Sequence, residues 1–239
     1  MEILSEHENG LSLVDLSTRV EMNKTTVYRL LTTLIEKEYV EQNEETKHYF
    51  LSNKILDLAR ISMRKGDLRD VVRRHAKTLV DEMNLTVYLA KMDAKQLMVL
   101  DVICREELIG SYFPGKQLPL HATAAGRIML ANMPMNECNA EIQSCAFPSY
   151  TPYSITNRKA LEDSVRYTRL QGYSVEQQDY VNGVSAVAVP LYDHSRNVIA
   201  TLGACEYAVR FDNRRKSEMI LTLLACAERI SDELGYHSV

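Results

Sequence analysis

The sequence predicts an α+β protein with an N-terminal winged helix-turn-helix and a C-terminal antiparallel sheet covered by helices. Two short helical segments are joined by three residues, and a strand-like hairpin at residues 39–51 follows them. Beyond residue 67, strand-like runs lie between amphipathic segments, and a long apolar stripe follows Asp212. Helices and strands in this order are typical of a sheet packed against helices.

Composition restricts the class of protein. The 239 residues are 46% hydrophobic and carry 28 basic and 32 acidic side chains, so a sizeable core is expected and nucleic acid cannot be coated by charge alone. Five scattered cysteines without a CxxC pair disfavour a disulfide scaffold or zinc ribbon and fit a reducing cytoplasm. No apolar run approaches the roughly 18 residues that span a membrane, and the first residues do not resemble a signal peptide.

The second helix of the predicted helix-turn-helix begins after Asn23, which can accept hydrogen bonds from its first turn. One face is an apolar stripe of Val27, Leu30, Leu31, Leu34 and Ile35. The opposite face consists of donors and methyl groups, namely Lys24, Thr25, Thr26, Tyr28, Arg29, Thr32 and Thr33. Such a face suits the DNA major groove, where bases present acceptors and thymine methyls. A solvated face on a plain helical bundle is the alternative.

The predicted hairpin forms a wing on which Lys47 or His48 can approach the phosphate backbone. A helical pattern at 53–66 follows, and it is either a linker helix that pairs two subunits or one more core helix. Pairing is favoured because one recognition helix reads few base pairs, and helix-turn-helix proteins usually bind two-fold sites.

In the C-terminal part, the segment LPLHATAAGRIMLANM predicts a loop that enters a helix at about Ala122. Its small first-turn residues leave backbone N–H groups open toward a cavity, at the positive end of the helix dipole, where a carboxylate binds well. Close helix–sheet packing also requires small residues and is the alternative. Further strands are predicted at 86–92, 96–104, 109–113, 173–178, 184–192 and 198–207.

Several stretches together resemble the IclR family of bacterial transcription regulators over nearly the whole chain. They are NKTTVYRLLTTLIEKEYV, LPLHATAAGRIMLA, YTPYSIT, GYSVEQQDYVNGVSAVAVPLYD and ISDELGYH. The recognition helix, AVPLYD and GYH resemble the keto-deoxygluconate repressor branch. The resemblance implies a winged helix-turn-helix at 1–52, a linker helix at 53–66 and a GAF-like effector-binding domain at 67–239.

The resemblance also implies a transcriptional regulator, expected to be a repressor of a catabolic operon. It would bind a double-stranded DNA operator as a homodimer or homotetramer and sense a small organic acid such as a sugar acid or keto acid. An aromatic-acid-responsive activator is the alternative within the family. The implied effector-binding positions are Leu118, Ala124, Ala125, Glu176, Val184, Ala186, Gly203 and Cys205. His121, Thr123 and Asp179 complete the expected site, and the acidic pair Glu176 and Asp179 suits ligand hydroxyl groups.

An enzyme and a metal sensor are the two other functions that the residues allow. An enzyme could use His121 with Asp179, or Cys205 as a nucleophile, but no pattern sets a base beside a nucleophile with an orienting third group. A metal sensor could gather His121, Cys138, Cys145 and His194, but their spacing matches no zinc pattern. We therefore predict no catalytic residue, metal or cofactor.

Overall fold

A computed structural model describes residues 1–7, 9–62, 68–104 and 112–236. The chain divides into two compact units, Met1–Asp67 and Leu68–Val239. Within the described ranges, no helix combines the length and apolarity needed to cross a membrane.

The first unit is a winged helix-turn-helix, as predicted. Its elements are α1 (Glu2–Ser5), α2 (Leu13–Arg19), α3 (Lys24–Glu36), β1 (Val40–Gln42), β2 (Tyr49–Leu51) and α4 (Lys54–Ser62). Ser12 and Asn23 cap α2 and α3, because their side-chain oxygens accept the backbone N–H groups of Asp15 and Thr26. The predicted linker helix corresponds to α4, and residues 63–66 lie outside the described residues.

The apolar stripe of α3 is narrower than the sequence predicted. Val27 and Leu31 are buried in the core of this unit, whereas Leu30 is 52% exposed and Ile35 is 37% exposed. At 100° per residue, Leu30 and Ile35 lie at the two edges of the stripe. The small core formed with α2 and the hairpin covers only the middle of that stripe, so both edge residues remain accessible.

The second unit is built on one antiparallel sheet. Its elements are α5 (Leu68–Met83), β3 (Thr86–Asp93), β4 (Gln96–Ile103), β5 (Gln117–Leu118), α6 (Ala124–Asn132), α7 (Met135–Ser144), α8 (Arg158–Gln171), β6 (Ser174–Gln177), β7 (Val184–Tyr192), β8 (Val198–Tyr207), a 3-10 turn (Ala208–Arg210) and α9 (Asn213–Glu233). The strand order is β5-β4-β3-β8-β7-β6. Residues from α5 and α9 share one hydrophobic cluster with the sheet, and residues from α6 share a second cluster with it. Thus helices α5 and α9 cover one face and α6 covers the other.

Most predicted elements in this unit are present, and the structure differs from the prediction at four points. Helix α6 begins at Ala124 and not at Ala122, because Thr123 is extended and serves as its N-cap. The sequence missed α7, whose buried residues are only Cys138 and Ile142, and the two-residue strand β5. Of the strand predicted at 109–113, residues 109–111 lie outside the described residues, and Tyr112 and Phe113 are not in a strand.

Candidate functional site

The outer face of α3 is accessible along its whole length. All seven α3 residues predicted to contact DNA are exposed, namely Lys24, Thr25, Thr26, Tyr28, Arg29, Thr32 and Thr33. The first turn contains no acidic residue, so the positive end of the helix dipole and the Lys24 ammonium reinforce each other. The result is an exposed helix surface whose N-terminal half attracts phosphate.

Two threonines on this face, Thr32 and Thr33, do not have the free hydroxyl donors that the sequence predicted. The Thr32 hydroxyl donates to the Tyr28 carbonyl at 2.9 Å, and the Thr33 hydroxyl donates to the Arg29 carbonyl at 3.1 Å. Because each hydroxyl hydrogen is used within the helix, these side chains present methyl groups and oxygen lone pairs outward. They can contact thymine methyls or accept from an exocyclic amine.

The two candidate residues on the wing, Lys47 and His48, differ in exposure. Asn43 Oδ1 accepts the backbone N–H groups of Glu45 and Thr46, both at 2.9 Å, and this closes the turn. Lys47 is exposed beside that turn. His48 is only half-exposed, and its Nδ1 contacts the Asn9 carbonyl at 3.4 Å. Lys47 is therefore the more accessible of the two.

In the second unit, the start of α6 differs from the open N-terminus that the sequence predicted. The Ala124 N–H donates to Glu176 Oε2 at 3.1 Å, and the Gly126 N–H donates to Thr123 Oγ1 at 3.1 Å. The expectation of bare N–H groups is therefore wrong at these two residues, because the chain supplies its own acceptors. Packing explains Gly126, where an added Cβ would lie 2.4 Å from the Leu120 carbonyl oxygen.

Glu176 is a fully buried carboxyl group on β6. Its Oε1 accepts the Tyr180 N–H at 3.3 Å, while Oε2 accepts the Ala124 N–H. Burial raises the pKa of Glu176 to about 7, although Arg127 and these two hydrogen bonds oppose the rise. The carboxyl group is consequently poised between its neutral and charged forms near neutral pH.

Arg127 is the principal site residue that sequence reasoning missed. Its guanidinium is 1% exposed and donates to Asp179 Oδ2 at 2.6 Å, Ser174 Oγ at 3.2 Å and the Val175 carbonyl at 2.8 Å. Asp179 therefore binds Arg127. The expectation that Asp179 and Glu176 together bind ligand hydroxyls does not hold for Asp179, because its carboxylate is already engaged by this arginine. An arginine inside the apolar run AAGRIMLA was the available signal, since a buried charge requires a counter-charge.

A chain of aromatic side chains crosses this part of the unit. Tyr88 and Tyr112 stack with centroids 4.7 Å apart, and Tyr180 meets Tyr112 edge-on at 6.2 Å. Tyr150 contacts Tyr180 at 5.1 Å. The Tyr88 ring lies against Gly203, where an added Cβ would be 2.1 Å from Tyr88 Cζ. Only glycine at this position of β8 leaves space for that ring.

Six of the predicted effector positions belong to one buried cluster with Tyr88 and Tyr112. They are Leu118, Ala124, Ala125, Val184, Ala186 and Cys205. Gly203 joins them through its contact with Tyr88, and Glu176 joins them through Ala124. Thr123 serves as a helix cap, and its hydroxyl donates to the Pro119 carbonyl at 2.8 Å.

His121 is buried outside that cluster. Its Nε2 lies 3.0 Å from the Pro148 carbonyl oxygen, and its ring contacts Phe147 and Tyr150. His121 therefore packs beside the site. It is connected to the buried cluster only indirectly, through the ring contacts of Tyr150 with Tyr180.

Two family descriptions match the chain. The C-terminal domain of the bacterial transcriptional regulator IclR matches residues 61–232, and the IclR helix-turn-helix domain matches residues 1–44. The chain belongs to the IclR family.

Curated relatives align with almost the whole chain. The regulator KdgR of Dickeya chrysanthemi is 30% identical over 234 residues, covering 96% of this chain and 76% of the relative. The regulator XynR of Escherichia coli K12 is 27% identical over 237 residues, covering 99% and 94%. An IclR regulator structure from Silicibacter sp. TM1040 superposes with a TM-score of 0.81 at 25% identity, covering 96% and 91%. The KdgR similarity is consistent with the branch that the sequence indicated.

The geometry of this IclR-family chain does not pair the candidate catalytic residues His121 and Asp179. His121 contacts the Pro148 carbonyl and Asp179 contacts Arg127, so they do not form a pair. Burial raises the pKa of the Cys205 thiol well above its usual value, which keeps the sulfur protonated and weakly nucleophilic. In the described part of the chain, no three His, Cys, Asp or Glu side chains are arranged to hold a metal ion.

Proposed function

We propose that this IclR-family regulator is a ligand-responsive repressor of a catabolic operon. It binds a two-fold DNA operator in the cytoplasm, as a homodimer or homotetramer, and loses affinity for that operator when a small organic acid binds the second unit. The observation that carries the proposal is the exposed outer face of α3, which has cationic and methyl-bearing side chains on a helix held by its own cap and core.

Each part of the DNA-binding surface has a distinct role in this proposal. Lys24 and the first-turn N–H groups bind phosphate, Arg29 reads an acceptor-rich base such as guanine, and the threonine methyls contact thymine. Thr25 and Thr26 are the threonines at the start of the face, and Tyr28 lies on its flank. On the wing, Lys47 binds the phosphate backbone, with His48 beside it.

A two-fold operator follows from the size of the reading surface. One recognition helix contacts only a few base pairs, so specificity requires two copies held at a fixed spacing. An effector can release the operator only if it binds one geometry of the pair more tightly than the other. Effector binding is therefore expected to be weaker when operator DNA is present, by the same factor that the effector weakens DNA binding.

The effector in this proposal is a small organic acid, such as a sugar acid or keto acid. The buried cluster around Glu176 and Ala124 combines polar groups with apolar walls, which suits a small acid. A second candidate is an aromatic-acid-responsive activator, which the stacked and edge-on tyrosines favour because an aromatic ring packs well on such a surface. Our proposal does not include an enzymatic activity.

The Arg29→Ala variant tests the DNA-binding assignment. We expect its affinity for operator fragments, selected from genomic DNA by the wild-type protein, to fall about 10- to 100-fold, or about 1–3 kcal/mol. Arg214→Ala is the matched control, because this arginine is 88% exposed on α9 of the other unit and should leave DNA binding unchanged. Fluorescence anisotropy at one fixed salt concentration measures both. Equal operator affinity for Arg29→Ala and wild type would refute the assignment.

A further inference from the structure

Two phenolic hydroxyls in the second unit are buried without a hydrogen-bond partner. Tyr88 is 0% exposed and Tyr112 is 6% exposed, and neither hydroxyl makes a hydrogen bond of normal geometry within the described part of the chain. Burying a hydroxyl without a hydrogen bond is destabilising, so buried tyrosine hydroxyls are normally bonded. Two such groups in one stacked pair require an explanation.

Packing does not supply that explanation. The Tyr88 ring and its hydroxyl oxygen both lie against Gly203, and this close contact gives the oxygen no hydrogen-bond partner. The surrounding cluster is apolar and provides walls such as Val99, Leu118 and Ala186 for both rings. The rings are thus accounted for by contacts, whereas the two hydroxyl groups are not.

Both hydroxyls belong to the effector site. Glu176 and Cys205 raise the pKa of Tyr88 and of Tyr112 electrostatically, in addition to burial, so both oxygens lie near the same two groups. The backbone N–H of Ala125, in the first turn of α6, lies near the Tyr88 oxygen, and the Cys205 thiol lies near the Tyr112 oxygen, but neither contact has the geometry of a full hydrogen bond. Because burial keeps both phenols protonated, each can donate one hydrogen to a ligand oxygen.

The nearby cation is already committed to the protein. The Arg127 guanidinium donates to Asp179, Ser174 and the Val175 carbonyl, so it already has three partners within the fold. A ligand carboxylate or hydroxyl in this cluster must therefore be recognised mainly by uncharged donors. Phenolic hydroxyls provide such donors, and hydrogen bonds to a charged acceptor are stronger than those between neutral groups.

We propose that Tyr88 and Tyr112 are effector-binding residues, each donating its phenolic hydrogen to an oxygen of the small organic acid. This inference rests on the proposed function, since it assigns the donors of the same effector site. Ligand oxygens supply the partners that the two hydroxyls lack, and the stacked rings fix the spacing of those oxygens.

The test compares Tyr88→Phe and Tyr112→Phe with the wild-type full chain. Isothermal titration calorimetry is performed with a panel of pyruvate, 2-oxobutyrate, D-gluconate, D-galacturonate, benzoate and 4-hydroxybenzoate, and the tightest-binding acid is used for the variants. We expect each variant to bind that acid about 10- to 100-fold more weakly, as loss of a hydrogen bond to a charged group predicts. Tyr49→Phe is the control, because Tyr49 is a buried tyrosine of the first unit.

Thermal unfolding without acid distinguishes a ligand role from a structural one. Removing an unpaired hydroxyl should leave the melting temperature unchanged or raise it, and operator binding without acid should persist. Undiminished acid affinity in both variants, a fall in the melting temperature of both, or failure of the wild type to bind any acid of the panel overturns the inference. Those outcomes leave the Arg29 test of DNA binding unaffected, so the two proposals fail separately.

Discussion

Replacing Glu176 by glutamine should remove most of the pH dependence that this carboxyl group gives to folding. The ordinary pKa of a glutamate is near 4.5, and burial raises that of Glu176 to about 7. The folded state therefore holds this proton more tightly than the unfolded state. The free energy of unfolding falls as pH rises from about 4.5 and becomes constant above about 7.

The magnitude follows from the difference in pKa. At about 1.36 kcal/mol per pKa unit, the full penalty of the charged form is about 3 kcal/mol, of which about 2.5 kcal/mol develops between pH 5 and 8.5. Glutamine avoids this penalty. Its single carbonyl can accept only one of the two N–H groups bonded to Glu176, those of Ala124 and Tyr180, so about 1 kcal/mol is lost at every pH.

The assay is urea unfolding followed by far-ultraviolet circular dichroism, since the chain has no tryptophan. Wild type and Glu176→Gln are compared at pH 5, 6, 7 and 8.5. We expect the variant to be slightly less stable than wild type at pH 5 and more stable by about 2 kcal/mol at pH 8.5. Other titrating groups are common to both proteins and cancel in the difference. A difference in unfolding free energy that stays constant across this range would refute the reasoning.

Three further substitutions test other contacts of the two units. Arg127→Met should destabilise the protein by about 3–5 kcal/mol in urea unfolding, because it leaves the Asp179 carboxylate without its ion-pair partner. The control Arg166→Met removes an exposed ion pair and should cost under about 1 kcal/mol. Similar losses in the two variants would contradict this view. Gly203→Ala should lower the free energy of unfolding by about 1–3 kcal/mol, because the added methyl group clashes with the Tyr88 ring. Combining it with Tyr88→Leu should recover part of that loss, and strictly additive effects would argue against the clash. Asn23→Ala should destabilise the first unit by about 1 kcal/mol through loss of the α3 cap, measured by thermal unfolding, and an unchanged melting temperature would show that the cap contributes nothing.

Local patterns predicted the elements well where one face of an element is buried. Strands β7 and β8 begin and end at the predicted residues because turn-forming residues flank their apolar runs. Asn23 and Asp212 mark helix starts because their side chains can satisfy first-turn N–H groups. Helix α7 escaped prediction because only two of its side chains are buried, so its apolar periodicity is weak.

The chemistry of the effector site was less predictable, because it depends on groups far apart in the sequence. Residue patterns identified Glu176 and Ala124 as site positions, but their mutual hydrogen bond joins elements 52 residues apart. The same separation hides the pairing of Arg127 with Asp179. Tyr88 has no local signal at all, since its unusual feature is the missing partner of its hydroxyl within the described residues.

The buried ion pair also shields the outer margin of the sheet. Strand β6 lies at one end of the strand order, and all four of its residues pair with β7. Alternate residues of an antiparallel edge strand direct their backbone N–H and C=O groups away from the neighbouring strand, and the side-chain bonds of Val175 and Gln177 identify them as such residues. Arg127 bonds the Val175 carbonyl there, and Asp179 accepts the Gln177 N–H at 3.0 Å. With these two groups already bonded, an extended segment from another molecule has few sites for docking and aggregation through this margin is suppressed.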